Sequence, residues 1–296
     1  MEPISTRYKD KILGMIQHSE GKTSVSVDDV YQEGNRAILP FIDSIIAENL
    51  APGSGIRSFA NIEKLASLAR GGSKCLLLVE HYSNFDLPVL IYLLRKAGPE
   101  GERIANSIVA IAGIKLSETN PVVTAFSEAY SRLVIYPSRS IDELATLIKD
   151  PAQLAAETLK ANSINLASMK TLARLRVEGR IVLVFPAGTR YRPWDQSSKK
   201  GVREIDSYIR SFDYLSFVSI NGNILRLNPK GEMLEDMICQ DRVVVDISEP
   251  RRCDEFRSRI KDRTPEGQDK KQAVVDAVMV ELEAMHESVG RSIQTI

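Results

Sequence analysis

The chain has 296 residues, 43% of them hydrophobic and 26% charged, which describes an ordinary folded protein of one large domain, or a large one with a small companion, and excludes a disordered chain. The 39 Lys and Arg balance the 39 Asp and Glu, so no bulk field draws the chain to nucleic acid or anionic lipid, and basic work falls to local patches. Cys75, Cys239 and Cys253 are too few for a disulfide framework and match no zinc spacing. They predict a reducing compartment. The first twenty residues carry no signal-peptide core, and no apolar run reaches the roughly 18–20 residues of a membrane span. The expectation is a soluble, cytoplasmic protein that touches a membrane at most peripherally.

Residues 5–50 carry apolar positions at spacings of three and four with interruptions, from Ile12, Leu13 and Met15 to Ile42, Ile45 and Ile46. They predict helices, with Pro40 near a helix start or kink. The segment Ala51-Pro-Gly-Ser-Gly55 is a break, taken as the boundary between an N-terminal helical domain, 1–54, and an α/β domain, 55–296. Residues 58–70 read as an amphipathic helix closed by Gly71-Gly72. Alternation follows: strand 75–79, helix 86–97, strand 104–112, a helix opened by Thr119-Asn-Pro121, and strand 133–136. A long helical stretch over 151–178, interrupted near Asn162, leads to strand 181–185. Segments 215–220 and 224–227 flank the turn signal Asn221-Gly222. Strand 243–247 and a last helix over 269–289 complete the series. This order predicts an α/β fold, a mostly parallel or mixed central sheet flanked by helices.

Three strand ends carry polar clusters. His81-Tyr-Ser-Asn-Phe-Asp86 follows the apolar run 75–79. A neutral imidazole can take a hydroxyl proton on one nitrogen while the other donates to a carboxylate that fixes its tautomer. No Gly-x-Ser-x-Gly elbow accompanies the pair, which favours activation of an external alcohol over a covalent acyl-enzyme. The same spacing also fits a loop histidine and an N-capping aspartate. His18 and His286 fall in predicted helices without an acidic partner in a loop. Phe185-Pro-Ala-Gly-Thr-Arg190-Tyr-Arg192-Pro193 is the second cluster. Gly188 allows close backbone approach, Thr189 offers a hydroxyl, and Arg190 and Arg192, two apart, point the same way from an extended loop. Two guanidinium forks on one side suit a phosphate; a solvated loop is the plainer alternative. Tyr136-Pro-Ser-Arg139-Ser140 is the third, or else a turn with an exposed arginine. The interleaved charges of 251–263 read as a solvated face. No metal-ligand spacing, Walker loop or dinucleotide fingerprint is present.

In this order the blocks resemble the glycerolipid acyltransferase superfamily. His81-x4-Asp86 is similar to its His-x4-Asp motif, and Phe185-Pro-Ala-Gly-Thr-Arg190 to its Phe-Pro-Glu-Gly-Thr-Arg motif. Within it the chain looks closest to the soluble plastid-type glycerol-3-phosphate acyltransferases. Val109-Ala-Ile-Ala-Gly113 through Asn120-Pro121, Phe126-Ser-Glu through Arg139, and Gly188-Thr-Arg190-Tyr-Arg192-Pro193 resemble that group's blocks, over roughly 58–228. The resemblance implies transfer of a fatty acyl group from acyl-carrier protein or coenzyme A to glycerol 3-phosphate, giving lysophosphatidate. It implies His81 as base and Asp86 as its orienter. Arg139, Arg190 and Arg192 would hold the phosphate, with Ser140, Gly188 and Thr189 beside them. The acyl thioester is a co-substrate, and no metal, cofactor or nucleic acid is implied. Loop amides over Ser83–Phe85 are an expectation for the oxyanion donors. Departures are Ser140 in place of a histidine, Ala187 in place of the glutamate of the membrane-bound enzymes, and no proline in Phe217-Val-Ser-Ile-Asn221. Open alternatives are lysophosphatidate or another alcohol as acceptor, and a non-catalytic lipid- or phosphate-binding protein on the same scaffold.

Overall fold

Strand β4, Cys75–Val79, is apolar at every position because it is covered at every position: all five residues are buried. In the computed structural model, which describes residues 1–21, 24–114, 121–229 and 233–294 apart from the side chains of Arg139, Glu143, Ala145, Ile293 and Gln294, it pairs in parallel with β7 (Ile181–Val184) and with β8 (Tyr214–Asn221). A strand with neighbours on both edges and cover on both faces has no solvent side, so its sequence shows a run rather than an alternation.

The other elements are β1 (Glu2–Pro3), α1 (Ile4–Arg7), α2 (Lys9–His18), β2 (Tyr31–Gln32), α3 (Leu39–Asn49), β3 (Gly55–Arg57), α4 (Phe59–Arg70), α5 (Asp86–Lys96), α6 (Pro99–Ser107), β5 (Ile108–Gly113), α7 (Pro121–Glu128), β6 (Arg132–Ile135), α8 (Ser138–Leu147), α9 (Pro151–Val177), α10 (Ile205–Ser211), β9 (Leu225–Arg226), β10 (Met237–Ile238), β11 (Val244–Ile247), β12 (Arg251–Arg252), α11 (Cys253–Arg263) and α12 (Lys270–Gln294). They divide into two compact units that interleave along the chain. One comprises Met1–Lys9, Asp43–Ile108 and Arg176–Ile296, the other Asp10–Ile42 and Val109–Leu175, so residues 1–54 contribute to both. Each unit is α/β with mixed strand pairing, as the alternation predicts.

In the first unit β11 runs antiparallel to β8 and parallel to β3, and β12 pairs antiparallel with the start of β8. A small antiparallel sheet, β1-β10-β9, belongs to the same unit. Helix α4 buries Ile62, Leu65, Ala66 and Ala69, one stripe at spacings of three and four. It stops where Gly72 takes φ +91° and the Ser73 N–H bonds back to Leu68 O, a turn that glycine makes without a Cβ penalty. In the second unit β2 and β6 pair antiparallel and β5 and β6 parallel. Its core gathers Val30, Val109, Leu133, Val134, Ala161 and Ile164.

Several expectations need correction. The strand predicted over 104–112 is a helix to Ser107 and a strand only from Ile108. Pro99 occupies the first helical turn with Glu100 and Glu102 beside it, and Ile104 and Ala105 are that helix's buried face. Helix α9 runs unbroken through Asn162. Strand β9 after Asn221-Gly222 does not fold back on β8 but pairs with β10. The run 251–263 is β12 and helix α11, and it is not only a solvated face: Arg257 and Lys261 converge on Asp206, which is 1% exposed.

Gly222 has φ +89°, and a Cβ there would fall on the Arg242 carbonyl. Gly222→Ala is therefore expected to lower stability by at least about 1–2 kcal/mol. Chemical denaturation of the two proteins measures this, and an unchanged midpoint would refute it.

Candidate active site

Because β4 and β7 are parallel neighbours, the chain leaves both at the same end of the sheet. The loop after β4 carries His81 and Asp86; the loop after β7 carries Phe185 to Arg192. Ligands of open α/β sheets gather at such strand ends. The two loops are joined directly: the Tyr191 N–H donates to the His81 carbonyl at 2.7 Å, and the Phe185 ring stacks on the His81 imidazole with centroids 4.0 Å apart and planes 16° apart.

His81 Nδ1 lies 2.9 Å from Asp86 Oδ2, which also accepts the Tyr82 N–H at 2.6 Å and the Ser83 N–H at 2.8 Å. Asp86 is 4% exposed. It is the first residue of α5 and turns back to amides that precede the helix, so it organises the loop rather than capping the helix's own N–H groups. An ionised carboxylate accepts and cannot donate, so the imidazole N–H must sit on Nδ1. That leaves Nε2 with its lone pair, the arrangement of a general base with an oriented tautomer. The His81 side chain is 19% exposed, reachable by a substrate yet shielded by Phe185.

Two of the three amides over Ser83–Phe85, the expected oxyanion donors, are engaged within the loop itself. The Tyr82 and Ser83 amides are held by Asp86, and the Phe85 N–H donates to Ser83 Oγ at 3.0 Å.

Arg190 is committed in a manner the sequence did not indicate. Its Nη1 donates to Asp236 Oδ2 at 2.6 Å, and Asp236 is 2% exposed. Asp236 also receives Asn84 Nδ2 at 3.3 Å and the Asn228 N–H at 3.1 Å. Gly188 has φ +63° and forms the turn Gly188 N–H to Phe185 O, consistent with a backbone only glycine adopts freely. Thr189 is half-buried beside it. The Arg192 N–H bonds Ser198 Oγ at 2.8 Å, and its guanidinium draws the Asp195 carboxyl downward, though the Ser197 hydroxyl does so more strongly. Ser140 lies in the other unit, buried in the first turn of α8, its N–H on Pro137 O. The side chain of Arg139 lies outside the described residues.

The acidic partner of His286 lies 206 positions away in the sequence, beyond any local pattern. Glu80, the residue before His81, is buried, and its Oε2 accepts His286 Nδ1 at 2.9 Å and the Ile220 N–H at 2.9 Å. Its Oε1 accepts the Tyr82 hydroxyl at 3.1 Å. Helix α12 is thereby tied to the β4 loop, and a shallow pocket opens between them, bounded by Glu80, His81, Tyr82, Tyr191, Met279 and Leu282. Lys199 and Glu283 form an ion pair at its rim. Burial resists protonation of His286, but the Glu80 carboxylate, by hydrogen bond and by charge, and Glu283 behind it outweigh burial and the nearby Lys199 and raise its pKa above 6.5. A histidine with a raised folded value contributes stability fully below its unfolded value and loses it as pH rises through the folded one. The stability difference between wild type and His286→Ala is therefore expected to be larger below pH 6.5 than in alkaline solution. Denaturation across that range checks it, and a pH-independent difference would refute it.

Among known proteins, the family model described as Acyltransferase matches residues 57–219, more than half of the chain, and spans both loops. No curated protein matches the chain.

Proposed function

Since the chain belongs to the acyltransferase family, we propose that it moves a fatty acyl group from an acyl thioester, of acyl-carrier protein or coenzyme A, to a hydroxyl of glycerol 3-phosphate. The observation that carries the reading is the His81–Asp86 pair with Nε2 left as acceptor. In this reading Nε2 takes the hydroxyl proton as the alcohol oxygen attacks the thioester carbonyl. Collapse of the tetrahedral adduct breaks the C–S bond, and the imidazolium returns the proton to the departing sulfur. Asp86 holds the ring and stabilises its charge. General-base assistance of this kind supplies about 10²–10⁴-fold. Arg192 would read the acceptor phosphate, so that binding energy remote from the reacting hydroxyl orients it.

One observation favours a second reading of the acceptor. Arg190 already holds a buried carboxylate, which leaves it less able to clamp a phosphate than an unengaged guanidinium. That fits an acceptor with a weaker demand for charge, such as a neutral alcohol. Thiol release by the purified protein, measured over a matrix of acyl-coenzyme A and acyl-carrier-protein donors against glycerol 3-phosphate, lysophosphatidate and neutral alcohols, separates the two. The first reading expects the highest kcat/KM with glycerol 3-phosphate. Preference for a neutral alcohol would replace it with the second.

A further inference from the structure

Helix α9 has an outward face that nothing in the described structure covers. Its inward face buries Ala161, Ile164, Ser168 and Leu175. On the opposite side Leu159 is 69% exposed, Leu166 57% and Met169 69%. Spacings of seven and three place these three along one side of the helix. Ala152, Ala155 and Ala173 extend the same apolar strip and are also exposed. Over 27 residues such a helix is about 40 Å long. Single exposed apolar residues are ordinary; three large ones along one face, with the exposed Asn162 set between Leu159 and Leu166, are less so.

The charges on that side are of one sign. Lys160, Lys170 and Arg174 are exposed along it, whereas Glu157, the acid within α9, lies toward the buried side, and the flanking acids Asp150 and Glu178 stand beyond the helix ends. Apolar side chains with lysines and an arginine beside them suit a helix lying in the plane of an anionic bilayer, its strip among the acyl chains and its cations at the headgroups. A second copy of this chain fits less well, because two such faces would set like charges against each other.

We propose that the outward face of α9 docks the protein on anionic lipid surfaces. The proposal does not depend on the catalytic reading. It is tested with the full-length protein in flotation assays on vesicles of phosphatidylcholine alone and of phosphatidylcholine mixed with phosphatidylglycerol in equal parts. The wild type is expected to float with the mixed vesicles, and far less with the neutral ones. Lys160→Ala and Lys170→Ala should each weaken binding roughly fivefold. Leu159→Glu with Leu166→Glu should abolish it while circular dichroism stays unchanged, since both side chains are exposed. The proposal is overturned by wild-type protein that ignores the mixed vesicles, by equal binding to both kinds, by binding that survives the double substitution, or by light scattering that finds a dimer which the double substitution splits.

Discussion

His81→Ala is expected to lower acceptor-dependent acyl transfer by at least about 10²–10⁴-fold, the usual contribution of a positioned general base. The loss should appear in kcat with the acceptor KM little changed, because the imidazole acts on the reacting hydroxyl rather than on the body of the substrate. The variant should fold, since His81 is partly exposed and its backbone link to Tyr191 does not depend on the ring. Removing the ring does unstack Phe185 and leaves Asp86 with its two backbone donors alone. Unfolding should therefore be monitored alongside. A variant that folds and retains wild-type turnover would remove His81 from the chemistry.

Arg190→Ala is expected to be the most destabilising of the substitutions near the site, by about 3 kcal/mol at neutral pH, because it strands the buried Asp236 charge. The sign of its pH dependence follows from Asp236. Burial pushes that carboxyl above 3.8, and the Asn228 N–H and Arg190 draw it only part of the way back. A carboxyl with a raised folded value binds its proton more tightly when folded, so stability falls as pH rises from 3.8 through the folded value. Without Arg190 that fall should deepen, and the variant should recover at acid pH. Asp236→Asn in the same background should restore most of the loss, because no buried charge remains. Urea denaturation of the four proteins of this cycle measures the coupling. If Arg190→Ala is as stable as wild type, Arg190 is not a structural partner of Asp236 and is free to serve a ligand.

The contrast between these two residues explains what could be read from the sequence. His81 and Asp86 lie five apart in one loop after an apolar strand, so spacing and strand position carried the inference. Asp236 stands 46 positions from Arg190, and His286 stands 206 from Glu80. Partnerships of that range leave no local pattern; they follow from which strand neighbours which. The fold class was legible because apolar runs and helical periodicity are local, as in β4 and α4. Ile104 misled because one isoleucine serves a helix face as well as a strand, and Pro99 was the better signal. Asn221-Gly222 does mark a turn, but a turn signal does not say which strand the chain meets next. Nor does a local spacing show that the carboxylate orienting the imidazole also takes the Ser83 amide, one of the expected oxyanion donors.

The most direct measurement is the thiol released from an acyl-coenzyme A thioester when glycerol 3-phosphate is added, in wild type and in folded His81→Ala side by side. The mechanism predicts release that depends on the acceptor in the wild type and falls at least about a hundredfold in the variant. Release that needs no acceptor, or that is the same in both proteins, would contradict it.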